Sequence, residues 1–132
     1  MCLQKIKGFA FSMDDRVIAY KLVKKQGDVY YPELSPRAKQ AAIGEGWSSD
    51  GLIVETYGSS PEAYEAGVHV FRDFLDACAY KDTWYGANPA YVIVEVECHG
   101  PICWGTKLGD TVMVYKEITI LKETRCTYET LL

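Results

Sequence analysis

The chain lacks any run close to the roughly 20 consecutive apolar residues of a membrane-spanning helix. Met1 to Phe11 carries lysines and a glycine but no continuous apolar stretch, so no secretory leader is read there and no membrane partner is expected. Basic charge is short as well, with 14 Lys and Arg against 18 Asp and Glu. That balance leaves no electrostatic footprint for direct nucleic-acid binding. The three lysines between Lys21 and Lys25 read as a solvated strand end rather than a phosphate track. There is no Cys-x-x-Cys, and of Cys98, His99 and Cys103 the first two face opposite ways on a strand, so no zinc set is read. Gly44, Gly46 and Gly51 lack the strand-to-helix context of a phosphate loop. Neither a metal nor a cofactor is implied. The five cysteines, Cys2, Cys78, Cys98, Cys103 and Cys126, are odd in number and scattered, which reads as free thiols in a reducing, cytoplasmic compartment.

Aromatic and β-branched residues are plentiful: ten tyrosines and three tryptophans fall in 132 residues. Such side chains bury large areas and keep a polar handle. One domain spanning residues 1–132 is expected. Residues 1–15 are ambiguous, with a strand as one option. Arg16–Val23 alternates with both faces largely apolar, which predicts a strand covered on both sides. Asp28–Leu34 is a short strand candidate. Ser35-Pro36 predicts a helix start over Arg37–Ile43, stopped by Gly44. Gly44–Gly51 reads as a loop and Leu52–Tyr57 as a strand. Ser59 and Glu62 stand at capping-box spacing and predict a helical turn ending by Gly67. Val68–Phe71 reads as a strand, and Asp73 as the cap of a helix to about Lys81. Tyr91–Cys98 predicts a strand with Val92, Val94, Val96 and Cys98 inward, and Thr111–Leu121 the longest strand. The expected class is α+β: a small, mostly antiparallel or mixed sheet of about five to seven strands with two or three short helices.

His69 stands in the most informative segment, between Gly67 and Gly100, which reads strand, helix, strand. It gains interest beside Tyr20, Lys21, Tyr80 and the paired glutamates Glu95 and Glu97, which can act as acid and base. Trp47, in the glycine-rich loop, could lie over a ligand. The candidate ligand-binding residues are therefore Tyr20, Lys21, Trp47, His69 and Tyr80, and no catalytic residue is assigned.

Two resemblances meet at these residues. Tyr20-Lys21, Gly67-Val68-His69-Val70-Phe71, Ala77 to Tyr80, Val92 to Gly100 and Val114 to Leu121 follow one another in an outline that resembles small uncharacterised phage and prophage proteins. The second similarity is to the poly(ADP-ribose)-polymerase-like form of the ADP-ribosyltransferase fold. Gly67 and His69 resemble its Gly-x-Tyr-Phe strand, with histidine where the family carries the tyrosine that stacks on nicotinamide. Tyr80 follows at about the family spacing, and Val114-Tyr115 resembles the last strand. The first-strand His-Gly or Arg element would fall near Tyr20-Lys21 and does not match. The catalytic glutamate would fall near Thr111, beside Asp110. Without that carboxylate nothing supports the oxocarbenium-like transition state. The resemblance implies a degenerate ADP-ribosyltransferase-like fold without the transferase chemistry.

These readings lead to a non-catalytic, phage-type binding protein acting in counter-defence in the host cytoplasm. It would sequester a nucleotide-derived small molecule or block a host protein. Trp84 would add to the stacking residues, and Arg16 and Arg72 to the phosphate donors. A protein-binding surface would instead present Trp84, Tyr85 and Trp104 as anchors. An ADP-ribosyltransferase-like or nucleotide-processing enzyme is the alternative, and it requires Tyr20, His69 and one acid among Asp110, Glu95 and Glu97 to converge. A virion or structural protein assembling through a strand edge is the third reading. A homodimer through such an edge is compatible with each.

Overall fold

A computed structural model describes residues 3–33, 39–58 and 60–126. Of these, 56% are strand and 13% helix, with one α-helix and a seven-stranded antiparallel sheet. The class is mostly β, and the expected α+β architecture with two or three helices does not hold. The strands are β1 (Lys5–Phe9), β2 (Arg16–Gln26), β3 (Val29–Pro32), β4 (Gly46–Ser48), β5 (Ile53–Glu55), β6 (Ala63–Glu65), β7 (Val68–Phe71), β8 (Tyr91–Lys107) and β9 (Asp110–Thr124). The helix α1 spans Phe74–Tyr85, one turn longer than its sequence signal.

Two expected helices fail for the same reason. Ala41, inside the predicted Arg37–Ile43 helix, exchanges backbone bonds with Tyr30 at 2.8 and 2.9 Å. Its amide and carbonyl are thereby committed to strand pairing; the Ser35-Pro36 start signal lies outside the described residues. The turn expected before Gly67 is β6, which pairs with β5 from Ile53↔Glu65 to Glu55↔Ala63. A local cap is worth about 1 kcal/mol, and a ladder of backbone bonds competes successfully with it.

The long β8–β9 hairpin organises the sheet. It turns at Leu108 and Gly109, both in the left-handed region at φ 52° and 87°, as a tight hairpin requires. Along β8, β2 pairs with the first half (Lys24↔Tyr91 to Arg16↔His99) and β1 with the second. Along β9, β7 pairs with the first half and β4 with the next segment. β2 meets β7 at one bridge, Tyr20↔Phe71, so the circuit β8–β2–β7–β9–β8 closes into a small barrel. Further along its free edge β2 exchanges β7 for β3. Gly44 and Glu45 close the rest of that side by bonding to the backbone of Ile120.

β8 passes through Gly100 and Pro101, where a terminator was expected. Gly100 sits at φ +70° and the register shifts between Pro101 and Cys103, so the glycine makes a bulge that bends the hairpin instead of ending it. The period-2 pattern of β2 then yields two cores. Inside the barrel pack Ala19, Val23, Val70, Val94, Val96, Cys98, Tyr115 and Ile118. Outside, Leu22, Phe71, Ile93, Val112 and Val114 pack against Ala77 and Tyr80 of α1 and against Leu3 and Tyr64.

The free-thiol expectation fails for two cysteines: Cys78 of α1 and Cys126, just past β9, form a disulfide. Cys98 and Cys103 are free and buried. Among the described residues no helix is long and apolar enough to cross a membrane.

Candidate functional site

A groove of about 390 Å³ opens at the barrel mouth where β2 begins. Val17, Met113 and Tyr115 form its floor, and Trp104 and Ile18 stand at its sides. Met113 and Tyr115 follow Thr111 at two-residue steps on β9, so all three point to one face. Trp104 pairs with Met113 on one side and Gly8 on the other. A Cβ on Gly8 would collide with the indole Nε1, so only glycine lets the ring lie across β1 at this point.

The two ends of the groove differ in charge. At one end Arg72 anchors to β9 through its amide, which donates to the Thr111 carbonyl at 3.3 Å. Its guanidinium meets the neighbouring Asp73 carboxylate at 3.3 Å, with both side chains about half exposed. At the other end the Tyr115 hydroxyl donates to the Asp14 carbonyl at 2.9 Å. Burial pushes the Tyr115 phenol up to about 12, and the charges of Cys98, Asp14 and Asp15 push the same way.

The residues singled out from sequence sit elsewhere. Tyr20 is on the outer face, its ring 5.3 Å from that of Phe74. Tyr80, also outside, donates to Glu33 Oε2 at 3.0 Å and packs its ring against Phe71 and Trp84. Tyr85 donates to the same oxygen at 2.7 Å and stacks on Tyr91. The Trp47 indole donates to the Lys39 carbonyl at 2.6 Å and packs on the inner core, an anchor for its segment. Lys21 is not a solvated strand end: it is buried, and its Nζ donates to the His69 carbonyl at 2.9 Å. Burial lowers the amine to about 8, against the opposing charge of Glu33.

His69 is closed off by its own partners. The Leu3 amide donates to the Tyr64 hydroxyl at 2.9 Å, and that hydroxyl lies 3.0 Å from His69 Nε2. The imidazole also bonds to the backbone of Gly67. Burial first, then the charge of Lys21, hold it down to about 3, so the ring is neutral.

The convergence an enzyme would need is partial. Tyr20 lies beside Glu95 in register, with Phe71 on its other side. Glu95 faces Lys122 at 3.8 Å, Glu97 is held by Arg16 at 2.9 Å and His99 at 2.7 Å, and Asp110 lies close enough to Asp76 to feel its charge. Tyr20, His69 and these acids line neither the mouth groove nor a second cavity of about 270 Å³ beside Cys126. Burial raises the Cys98 and Cys103 thiols to about 12 and 11, which leaves both as thiols at neutral pH rather than nucleophilic thiolates. Among the described residues no three His, Cys, Asp or Glu side chains gather as a metal set.

Of the groove residues, the sequence points to Arg72 as a phosphate donor and Trp104 as a protein anchor. Asp14 and Met113 carry no local signal, because their meeting depends on strand pairing. Comparison with protein families, with curated proteins and with solved structures finds no match for this chain.

Proposed function

We propose that this chain is a non-catalytic binding protein that sequesters a small nucleotide-derived molecule in the groove at the barrel mouth. One observation carries the reading: a concave space of about 390 Å³ is lined by a guanidinium, Arg72, and an indole, Trp104. Ligand sites run from about 300 to 1,000 Å³ and favour barrel mouths, apolar walls and a few polar groups. Arg suits an anion and Trp suits a base. Phage counter-defence in a host cytoplasm is the setting that the sequence resemblance implies. The Cys78–Cys126 bond counts against a reducing compartment.

A thermal-shift panel of AMP, NAD, ADP-ribose, cyclic ADP-ribose isomers and cyclic di- and trinucleotides tests the reading. A ligand at 100-fold its Kd stabilises by about 2.7 kcal/mol, which moves Tm by several degrees. A flat panel overturns it.

Blocking of a host protein is the second reading, favoured by one feature. Phe11 is 92% exposed, immediately before Ser12 and Met13 of the groove rim, and Phe9 and Ile18 are exposed nearby. Exposed apolar side chains grouped at one place mark interaction sites.

A further inference from the structure

The groove carries opposite charges at its two ends, and that difference and its length narrow what it can hold. Arg72 is the basic side chain of its lining, and Asp14 stands at the opposite end with Asp15 next in the chain. Among the described residues neither aspartate has an ion-pair partner. The Arg72 guanidinium donates from Nε and Nη2 to Asp73 Oδ2 at 3.4 and 3.3 Å, which among the described residues leaves three of its five N–H donors for a ligand. Thr111, which receives the Arg72 amide, and Tyr115, which donates to Asp14, are four residues apart on β9. At about 3.3 Å per residue the two ends are roughly 13 Å apart. Between them lie Met113 and Trp104, an apolar stretch with one flat ring.

Resting on the binding reading above, we infer that the groove takes a nucleoside-monophosphate-sized molecule with one anionic group at the Arg72 end and a donor-bearing ring toward Asp14. A phosphate accepts the fork of N–H donors that guanidinium presents. The ring covers Trp104 and Met113, and its exocyclic amine donates to the Asp14 carboxylate. A ligand with two phosphates set between its rings, such as a cyclic dinucleotide, brings an anion toward Asp14 and Asp15. There like charges repel, and only one end of the groove offers a cation. The volume, near the lower limit of ordinary ligand sites, also suits one nucleoside rather than two.

The test is a calorimetric titration of the full chain with AMP, adenosine, ADP-ribose and cyclic di-AMP, repeated with Arg72→Gln and Asp14→Ala. AMP is expected to bind at least tenfold tighter than each of the other three. Arg72→Gln should weaken AMP at least tenfold while Tm holds, since Arg72 is exposed. Asp14→Ala should move the two nucleotides in opposite directions, AMP weaker and cyclic di-AMP tighter. The Asp14 backbone bond to Tyr115 survives that change. If ADP-ribose or cyclic di-AMP matches or exceeds AMP and responds to Arg72→Gln, this inference fails and the binding reading stands. If AMP binds without responding to Arg72→Gln, the assigned orientation fails. If none of the four binds, this inference fails, and a flat thermal-shift panel would remove the binding reading with it.

Discussion

Lys21 Nζ donates to the backbone carbonyl of His69 at 2.9 Å, joining strands 48 residues apart in sequence. The bond lies where β2 exchanges one neighbour for another: β7 pairs at Tyr20, and β3 begins only at Val23. In that gap the His69 carbonyl has no β2 amide opposite it, and the lysine amine takes the place of a ladder bond. A buried carbonyl left without a donor would cost on the order of 1–3 kcal/mol.

The lysine makes stability depend on alkaline pH. Its folded-state value of about 8 lies below its ordinary 10.5, so between those values the unfolded chain binds more protons and stability rises with pH. Raising the pH from 7 to 9 should stabilise the wild type by about 1 kcal/mol relative to Lys21→Met. Paired urea melts at both pH values measure the difference. An unchanged difference would show that the folded amine keeps its proton at pH 9.

His69 acts at the acid end. Its folded value of about 3 lies below its ordinary 6.5, so its contribution is full above 6.5 and is lost as pH falls toward 3. From pH 7 to pH 5 the loss should be about 2 kcal/mol. His69→Asn should flatten this part of the profile, measured by urea melts at pH 7, 6 and 5.

The Cys78–Cys126 bond joins residues 48 apart. The chain-entropy account gives such a loop about 4 kcal/mol, within an observed range of about 0 to 5. Dithiothreitol should lower the Tm of the wild type by many degrees and leave Cys126→Ser unmoved. Equal sensitivity in both proteins would place the effect elsewhere.

Gly8 holds the Trp104 ring. Gly8→Ala drives a methyl into the indole nitrogen and should destabilise by about 1–3 kcal/mol, as overpacking does. Trp104 emission should shift when read in a Trp47→Phe, Trp84→Phe background.

Glu33 ties the end of β3 to α1 by accepting both the Tyr80 and Tyr85 hydroxyls. Bonds to a charged group are worth about 1.5–3 kcal/mol each. Glu33→Ala should therefore lower stability, and it should bring forward tyrosine ionisation that burial and this carboxylate now delay. Absorbance at alkaline pH follows it.

The alternating segments are legible in the chain alone. Val68–Phe71 is a strand with the expected bounds, β2 is apolar on both faces, and Val94, Val96 and Cys98 point inward as read. Period 2 is a local property of the chain; α1 also starts after Asp73 as expected, but the Asp73 carboxylate accepts from Arg72 and makes no cap hydrogen bond. Tertiary structure decided what the segments do to one another. The helical turn expected before Gly67 is instead β6, paired with β5, the Ser59 of its capping signal lying outside the described residues; Gly100 became a bend within β8, and Lys21 entered the barrel because its strand changes neighbours there. The groove belongs to the same class: Asp14, Arg72, Trp104 and Met113 meet only when the hairpin closes on β2 and β7. Contacts of that kind are set by register between distant strands, and no local pattern encodes register.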